Sequence, residues 1–236
     1  RDSTYGELFE RARATAGLLR AEGCRSGERV GLVAASEPST LSIVLGVLLA
    51  GATPVPLQAP SRPTGWPDRV PGVIDALRNV GATKLLAPEA LRDGFCAKSG
   101  GSEVRFSSFD AASSARPADR ERSASPSDDA LVQLTSGSTG DPRGVRLTHA
   151  ALLANIRATG EVLRADSRDV VVSWLPLSHD MGLVGAWLGS LYHGCRLVLL
   201  PPRAFLAQPA SWLQAIDGYR GTISAAPNFA YETCAS

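Results

Sequence analysis

Residues 131–149 read "LVQLTSGSTGDPRGVRLTH". An apolar run enters a cluster of Thr, Ser and Gly, then Pro142 and Arg143 follow and a second alternating run begins. Small polar residues between two strand-like runs make a bend. The chemistry of this bend is particular. Gly137 and Gly140 can adopt backbone conformations closed to other residues and let a ligand approach the main chain. Successive N–H groups on such a path form anion-holding concavities. Thr135, Ser136, Ser138 and Thr139 add hydroxyl donors without bulk, and Arg143 adds a fixed positive charge suited to phosphate oxygens. The bend therefore suits a polyphosphate, although composition by itself favours a plain Ser/Gly hairpin turn. Two other phosphate loops are excluded. The GxxxxGK[ST] spacing fails because Pro142 stands where its second glycine belongs. The dinucleotide GxGxxG fails because a strand rather than a helix follows.

Outward from the bend, strands and helices alternate. "TYGELFERARATAGLLRAEG" (4–23) places Leu8, Phe9, Ala12, Ala16 and Leu19 at helical spacing, with Thr4 as cap and Gly23 as stop. A buried strand is predicted over 29–35, an apolar helix over 38–52, a strand at 53–57, a helix over 68–80 and a strand over 83–88. After the bend's own strands (130–135 and 144–148), a helix is expected over 149–164. A strand follows over 169–176, then a Gly-rich helical stretch over 181–193 and a strand over 195–201. A helix near 209–217 precedes a last strand over 221–227 that runs into a short helix. This alternation predicts an α/β fold of mostly parallel sheets flanked by helices. Residues 107–129, "SSFDAASSARPADRERSASPSDD", have few large apolar side chains and read as a solvated connector. It separates a first α/β segment, 1–106, from a second, 130–236.

The bulk numbers narrow the function classes. Twenty-four basic residues against 23 acidic ones leave a net charge of +1 over 236 residues. That balance offers nothing to nucleic acid or an anionic membrane. No apolar run reaches the length of a membrane span. Cys24, Cys96, Cys195 and Cys234 form no CxxC pair and no metal-ligand spacing with His149, His179 or His193. They read as incidental thiols of a reducing cytoplasm. The chain opens at Arg1, and its single methionine is Met181. It reads as a piece of a longer polypeptide.

Three ordered stretches carry a family resemblance. "LTSGSTGDPRGVRLTH" resembles the phosphate-loop signature of the adenylate-forming superfamily, which includes acyl-CoA synthetases and nonribosomal adenylation domains. Residues 4–57 resemble its opening helix–strand–helix segment. "WLPLSHDMGLVGAWLGSLYHGCRLVLLPP" (174–202) resembles the segment lining its acyl site. Within the superfamily, "PLSHDMGLVG" and "SAAPNFAYETC" are most similar to fatty acyl-AMP ligases. The resemblance implies an incomplete N-terminal domain of the adenylate-forming fold, with the rest of that domain and a small C-terminal domain lying beyond residue 236. It implies attack of a fatty-acid carboxylate on the α-phosphorus of ATP and release of pyrophosphate. The acyl group would then pass to the phosphopantetheine thiol of an acyl carrier protein, or alternatively to coenzyme A. A non-catalytic, adenylation-like lipid-binding or scaffold module is the reading from another class. By itself the chain is expected to be inactive.

The resemblance also assigns residues. Thr135, Ser136, Gly137, Ser138, Thr139 and Gly140 would hold the ATP phosphates, with Thr139 near Mg²⁺. Arg143 stands where the family usually has Lys, keeping the charge with a different reach. His179 would face the carboxylate or the phosphate, and Asp180 reads as a helix N-cap. Met181 and Trp187 either line an acyl tunnel or fill the core. Gly182 and Gly185 either admit a chain past the helix or serve packing. Ala225, Pro227, Asn228 and Phe229 would border the acyl pocket, with Asn228 otherwise a helix-opening residue.

Overall fold

A computed structural model describes residues 2–60, 62–119, 122–135 and 143–235. The chain folds as two compact units, one formed by residues up to 34 and 38–150, the other by 35–37 and the residues from 151 onward.

The first unit begins with α1 (Tyr5–Ala21). Thr4 Oγ1 accepts from the Glu7 N–H at 3.1 Å, and Glu7 Oε2 accepts from the Thr4 N–H at 2.9 Å. This reciprocal cap satisfies two N–H groups that the helix itself leaves unpaired. There follow β1 (Arg29–Ala34), α2 (Pro38–Leu49), β2 (Thr53–Gln58), α3 (Trp66–Asn79), β3 (Lys84–Ala87), α4 (Arg92–Lys98), β4 (Arg105–Ser108) and α5 (Phe109–Ser114). The strands form a parallel sheet in the order β2-β1-β3-β4. Its strands are nearly all apolar because helices cover it. Val33, Val55, Leu85 and Ala87 pack with Trp66, Val70, Ile74 and Leu77 of α3 in one buried cluster. α1 and α2 meet through Gly46, where a β-carbon would lie 2.6 Å from the Ala12 carbonyl oxygen. Only glycine permits that approach.

Residues 107–129 lie wholly in the first unit. Most are exposed, yet the segment opens with α5, which buries Phe109 and Ala112, and it is tied down further along. The Ala118 N–H donates to the Arg13 carbonyl, the Arg13 guanidinium donates to the Ala118 carbonyl, and Arg122 reaches the Cys24 carbonyl. α4, β4 and α5 go beyond the elements expected from the sequence. β4 is only four residues long and three of them are polar, so periodicity has little to register there.

β5 (Asp129–Thr135) and β6 (Arg143–Thr148) close the unit as an antiparallel hairpin, an exception to the parallel pattern. Asp129 anchors it. Its carboxylate meets Arg146 Nε at 2.8 Å and Arg29 at 3.5 Å, and its carbonyl accepts from Thr53 Oγ1 of β2 at 3.0 Å. The Arg146 hydrogen bond holds the Asp129 carboxyl below the usual range, and Arg29 adds to the effect against the opposing pull of burial.

The second unit holds most of α6 (His149–Leu163), then β7 (Val170–Ser173), a π-helix (Met181–Leu188), α7 (Gly189–His193), β8 (Arg196–Leu199), α8 (Pro202–Ala207), α9 (Ala210–Gly218) and α10 (Asn228–Ala235). β7 and β8 pair in parallel. Two strand expectations are corrected here, and the helical one over 181–193 holds with a change of winding. The strand expected over 169–176 ends at Ser173, since Pro176 cannot extend it. The helical stretch over 181–193 winds first as a π-helix and only then as an α-helix. The strand expected over 221–227 reduces to one parallel bridge, Ile223 to Val171. Side chains replace the missing ladder. Thr222 Oγ1 accepts from the Val170 N–H at 3.0 Å, and Ser224 Oγ donates to the Val172 carbonyl at 2.7 Å.

Candidate active site

The hairpin positions the first set of candidates. Thr135 ends β5 and Arg143 opens β6, and the two are directly paired across the ladder. Thr135 Oγ1 donates to the Arg143 carbonyl at 3.3 Å, and both residues are exposed. Seven residues, 136–142, therefore form the connection between two strands held in register. Ser136, Gly137, Ser138, Thr139 and Gly140, expected to hold phosphate, lie outside the described residues.

The second set lies in the second unit. Val171 and Ile223 are parallel partners, so the loops that follow each leave at the same carboxyl edge of the sheet. In α/β sheets that edge is where ligands sit. One loop carries His179 and leads into the π-helix; the other carries Ala225 and Pro227 and leads into α10, which opens with Asn228 and Phe229. Aromatic rings join them. Trp174 lies edge-on to Phe229 with centroids 6.2 Å apart, and it stacks on Phe205 at 4.0 Å. Trp212 packs edge-on against Trp174 and Phe205, and its indole N–H donates to Ser224 Oγ at 2.9 Å. Sequence reading passed over this wall of Trp174, Phe205 and Trp212. Trp174 falls in an expected strand, Trp212 in an expected helix and Phe205 between elements, and nothing in a linear pattern brings them together.

The structure separates the residues whose roles were open. His179 is exposed at the start of the π-helix; its carbonyl accepts from the Leu183 N–H at 2.8 Å. Asp180 Oδ1 accepts from the Met181 N–H at 2.8 Å, a cap on the helix end. Met181 is 45% exposed, whereas Trp187 is 1% exposed and belongs to the core. Gly182 is a packing glycine, since a β-carbon there would collide with the Pro176 carbonyl. Gly185 is the opposite: a β-carbon would meet nothing within 4 Å. Asn228 opens α10 and Phe229 remains 49% exposed.

Gly185 also lines a narrow, mostly apolar slot. Its walls are Ile156, Thr159 and Gly160 of α6, Val171, Ile223, and Val184, Gly189 and His193 from the far side. Gly185 is one helical turn from Met181. No described group of three or more His, Cys, Asp or Glu side chains can hold a metal ion. Thr139, which the resemblance offers to Mg²⁺, lies outside the described residues. Among the described residues no helix is long and apolar enough to cross a membrane.

Comparison with known proteins shows the family of the chain. A long-chain-fatty-acid–AMP ligase of Mycolicibacterium smegmatis is 32% identical over 243 residues, covering 100% of this chain and 38% of its own length. A medium-chain-fatty-acid–[acyl-carrier-protein] ligase of Teredinibacter turnerae is 48% identical over 115 residues, 49% of this chain and 18% of its own length. The crystal structure of a fatty acyl-adenylate ligase from L. pneumophila, in complex with acyl adenylate and pyrophosphate, superposes with a TM-score of 0.85 at 32% identity. That match covers 99% of this chain and 40% of the ligase. The chain thus spans about two fifths or less of the length of these relatives. The AMP-binding enzyme family matches residues 1–236, and the chain belongs to that family of adenylate-forming enzymes.

Proposed function

We propose that the full-length protein activates a fatty acid. A carboxylate oxygen attacks the α-phosphorus of ATP, the bond from that phosphorus to the bridging oxygen breaks, and pyrophosphate leaves with the electron pair. The acyl-adenylate then passes to the phosphopantetheine thiol of an acyl carrier protein, with AMP as leaving group. The observation that carries this reading is the junction at the carboxyl edge of β7. There an exposed His179 and Met181 stand beside a glycine, Gly185, that opens onto an apolar slot. Exposed polar groups beside apolar ones suit a carboxylate head and the first carbons of its tail.

The roles follow from charge. Two anions must approach each other, and negative charge builds on the departing pyrophosphate. Preorganised donors meet that charge without reorganising. The hairpin holds Thr135 and Arg143 at the base of the connection, with Ser136 to Gly140 as the cradle. His179 orients the carboxylate. Ala225, Pro227, Asn228 and Phe229 form the opposite wall. Mg²⁺, when bound, neutralises phosphate charge, and Thr139 is the residue offered to it. A cytoplasmic setting belongs to the same reading, consistent with four cysteines that form no disulfide.

The test is ATP–pyrophosphate exchange by the full-length protein with a series of fatty acids, followed by offering the acyl-adenylate to carrier protein or to coenzyme A. Exchange dependent on a fatty acid supports the reading, and exchange with none of them removes it. Faster transfer to coenzyme A than to carrier protein would reassign the acceptor. The chain by itself, two fifths or less of its relatives' length, is expected to give no exchange above background.

A further inference from the structure

The hairpin that presents Thr135 and Arg143 is fastened at two levels. At its base, the Asp129 carboxylate is held by Arg146 and Arg29. At its other end, one residue beyond Arg143, Gly144 pairs with Leu134 across the ladder and lies against Val80. A β-carbon on Gly144 would stand 2.6 Å from Val80 Cγ1 and 2.9 Å from Val132 Cγ1. Gly144 has no positive φ, so its backbone accepts any residue and only space refuses a side chain there. Val80 has little freedom to give way. It is 4% exposed, it belongs to the core cluster that includes Val132, and a β-branched side chain is stiff. Its backbone is tied as well: it caps the end of α3, and its carbonyl accepts from Arg29 Nη1 at 2.7 Å. The same guanidinium reaches the Asp129 carboxylate through Nη2 at 3.5 Å. Arg29 of β1 thus holds both the base of the hairpin and the residue on which its far end rests.

We propose that the contact of Gly144 with Val80 is a positioning device for the nucleotide, fixing where Thr135, Arg143 and the connection between them meet the phosphates. The inference rests on the fatty-acid reading above and adds to it the residues that aim its phosphate-holding hairpin. Gly144 and Val80 touch no reacting atom; they act through the strand that carries Arg143. A methyl group added at Gly144 meets two buried valines and levers β6 away from α3, and Arg143 moves with it. Trimming Val80 instead removes the support and lets that end of the hairpin sink. Misplacing a reacting partner by about 1 Å can cost roughly 10²-fold in rate. All of these contacts lie within the first unit, whereas the proposed acyl wall belongs to the second. The change is therefore felt by the nucleotide and not by the fatty acid.

The experiment measures KM for ATP, KM for the fatty acid and kcat in ATP–pyrophosphate exchange by the full-length protein, with melting temperature as the check on folding. Gly144→Ala is expected to raise KM for ATP about tenfold or more, with KM for the fatty acid within about twofold of wild type. Val80→Ala is expected to raise KM for ATP several-fold. Combining the two returns the missing volume from the other side, and KM for ATP is expected to fall back to within about threefold of wild type, the mark of two residues in contact. A folded Gly144→Ala with the wild-type KM for ATP overturns the proposal. So does a rise in both KM values together, which marks general loosening, or a double variant that binds ATP no better than Gly144→Ala. If Gly144→Ala does not fold, the double variant is compared with Val80→Ala, and a KM for ATP no lower than that of Val80→Ala overturns it. Absence of fatty-acid-dependent exchange in the wild type would instead remove the underlying reading, so the two failures are distinct.

Discussion

The two units are built from the same alternating pattern but finish it differently. In the first, four parallel strands are covered, α1 carries a reciprocal cap, and the connections are tied back by backbone hydrogen bonds. In the second, two paired strands and a single bridge stand in for a sheet. Large apolar side chains remain in water there, Leu206 at 69% and Val162 at 84% exposed, and the helix nearest the site is a π-helix. The lesson is a division of labour. Packing is most complete behind the regular parallel sheet of the first unit, and irregular backbone is concentrated where the acyl site is proposed. π-helical turns recur at functional sites, where a local change of winding re-aims side chains.

Glycine substitutions would break this contrast most sharply. Gly46→Leu drives a side chain into the α1–α2 contact and is expected to destabilise the first unit by about 3 kcal/mol or more. Gly185→Ala, facing open space, is expected to change stability by less than about 1 kcal/mol. Urea unfolding followed by circular dichroism measures both; similar losses would mean that the two helices are not differently packed.

A smaller effect sharpens the contrast through pH. Asp129→Asn removes the carboxylate that ties β5 to Arg146 and Arg29, at a cost of about 1 kcal/mol at neutral pH, since Arg146 is exposed. The folded carboxyl lies below its ordinary value of 3.8. Its contribution is therefore present above that value and is lost as pH falls through the folded one. Wild type and variant should converge in melting temperature as pH approaches and passes below the folded value, and separate again towards neutrality. A gap independent of pH would show that the carboxylate acts by shape instead of charge.

The smallest effect is kinetic. Burial pushes the Cys24 thiol up to about 11, with Glu28 adding to the rise, so only roughly one molecule in a thousand carries a thiolate there at about pH 8. Burial also raises the Cys195 thiol in the second unit. Exposed Cys96 should label first with a maleimide, then Cys195, then Cys24, because the less complete unit opens at lower free energy. Labelling of Cys24 before Cys195 would reverse the comparison. Mass spectrometry of timed digests reads the order.

Much of this was legible in the sequence because periodicity and capping act locally. Thr4 to Gly23 announces α1 through residues that act within one turn, and the run from Leu85 to Ala87 is apolar because helices cover the sheet. The proposed site was legible at a coarser level. Motif order pointed to the hairpin and to both loops at the carboxyl edge of β7. What stayed hidden depends on distance. The Trp174–Phe205–Trp212 wall joins residues that no window spans. The π-winding of 181–188 accompanies Gly182 pressed against the Pro176 carbonyl, a contact that hydrophobic period does not encode. The strand expected over 221–227 stops after Ile223: the Thr222 and Ile223 amides bond to the Val170 carbonyl of β7, but at the Val172 carbonyl the donor is the Ser224 hydroxyl.

That exchange of hydroxyls for ladder bonds has its own mechanical meaning. The chain entering the loop of Ala225 to Pro227 is held to β7 by backbone bonds at Thr222 and Ile223 and by the hydroxyls of Thr222 and Ser224, and Ser224 passes the load to the Trp212 indole. The fastening nearest the loop is thus a hydroxyl, and a single oxygen-to-hydrogen exchange at Ser224 would loosen the wall there while the bridge at Ile223 stays closed.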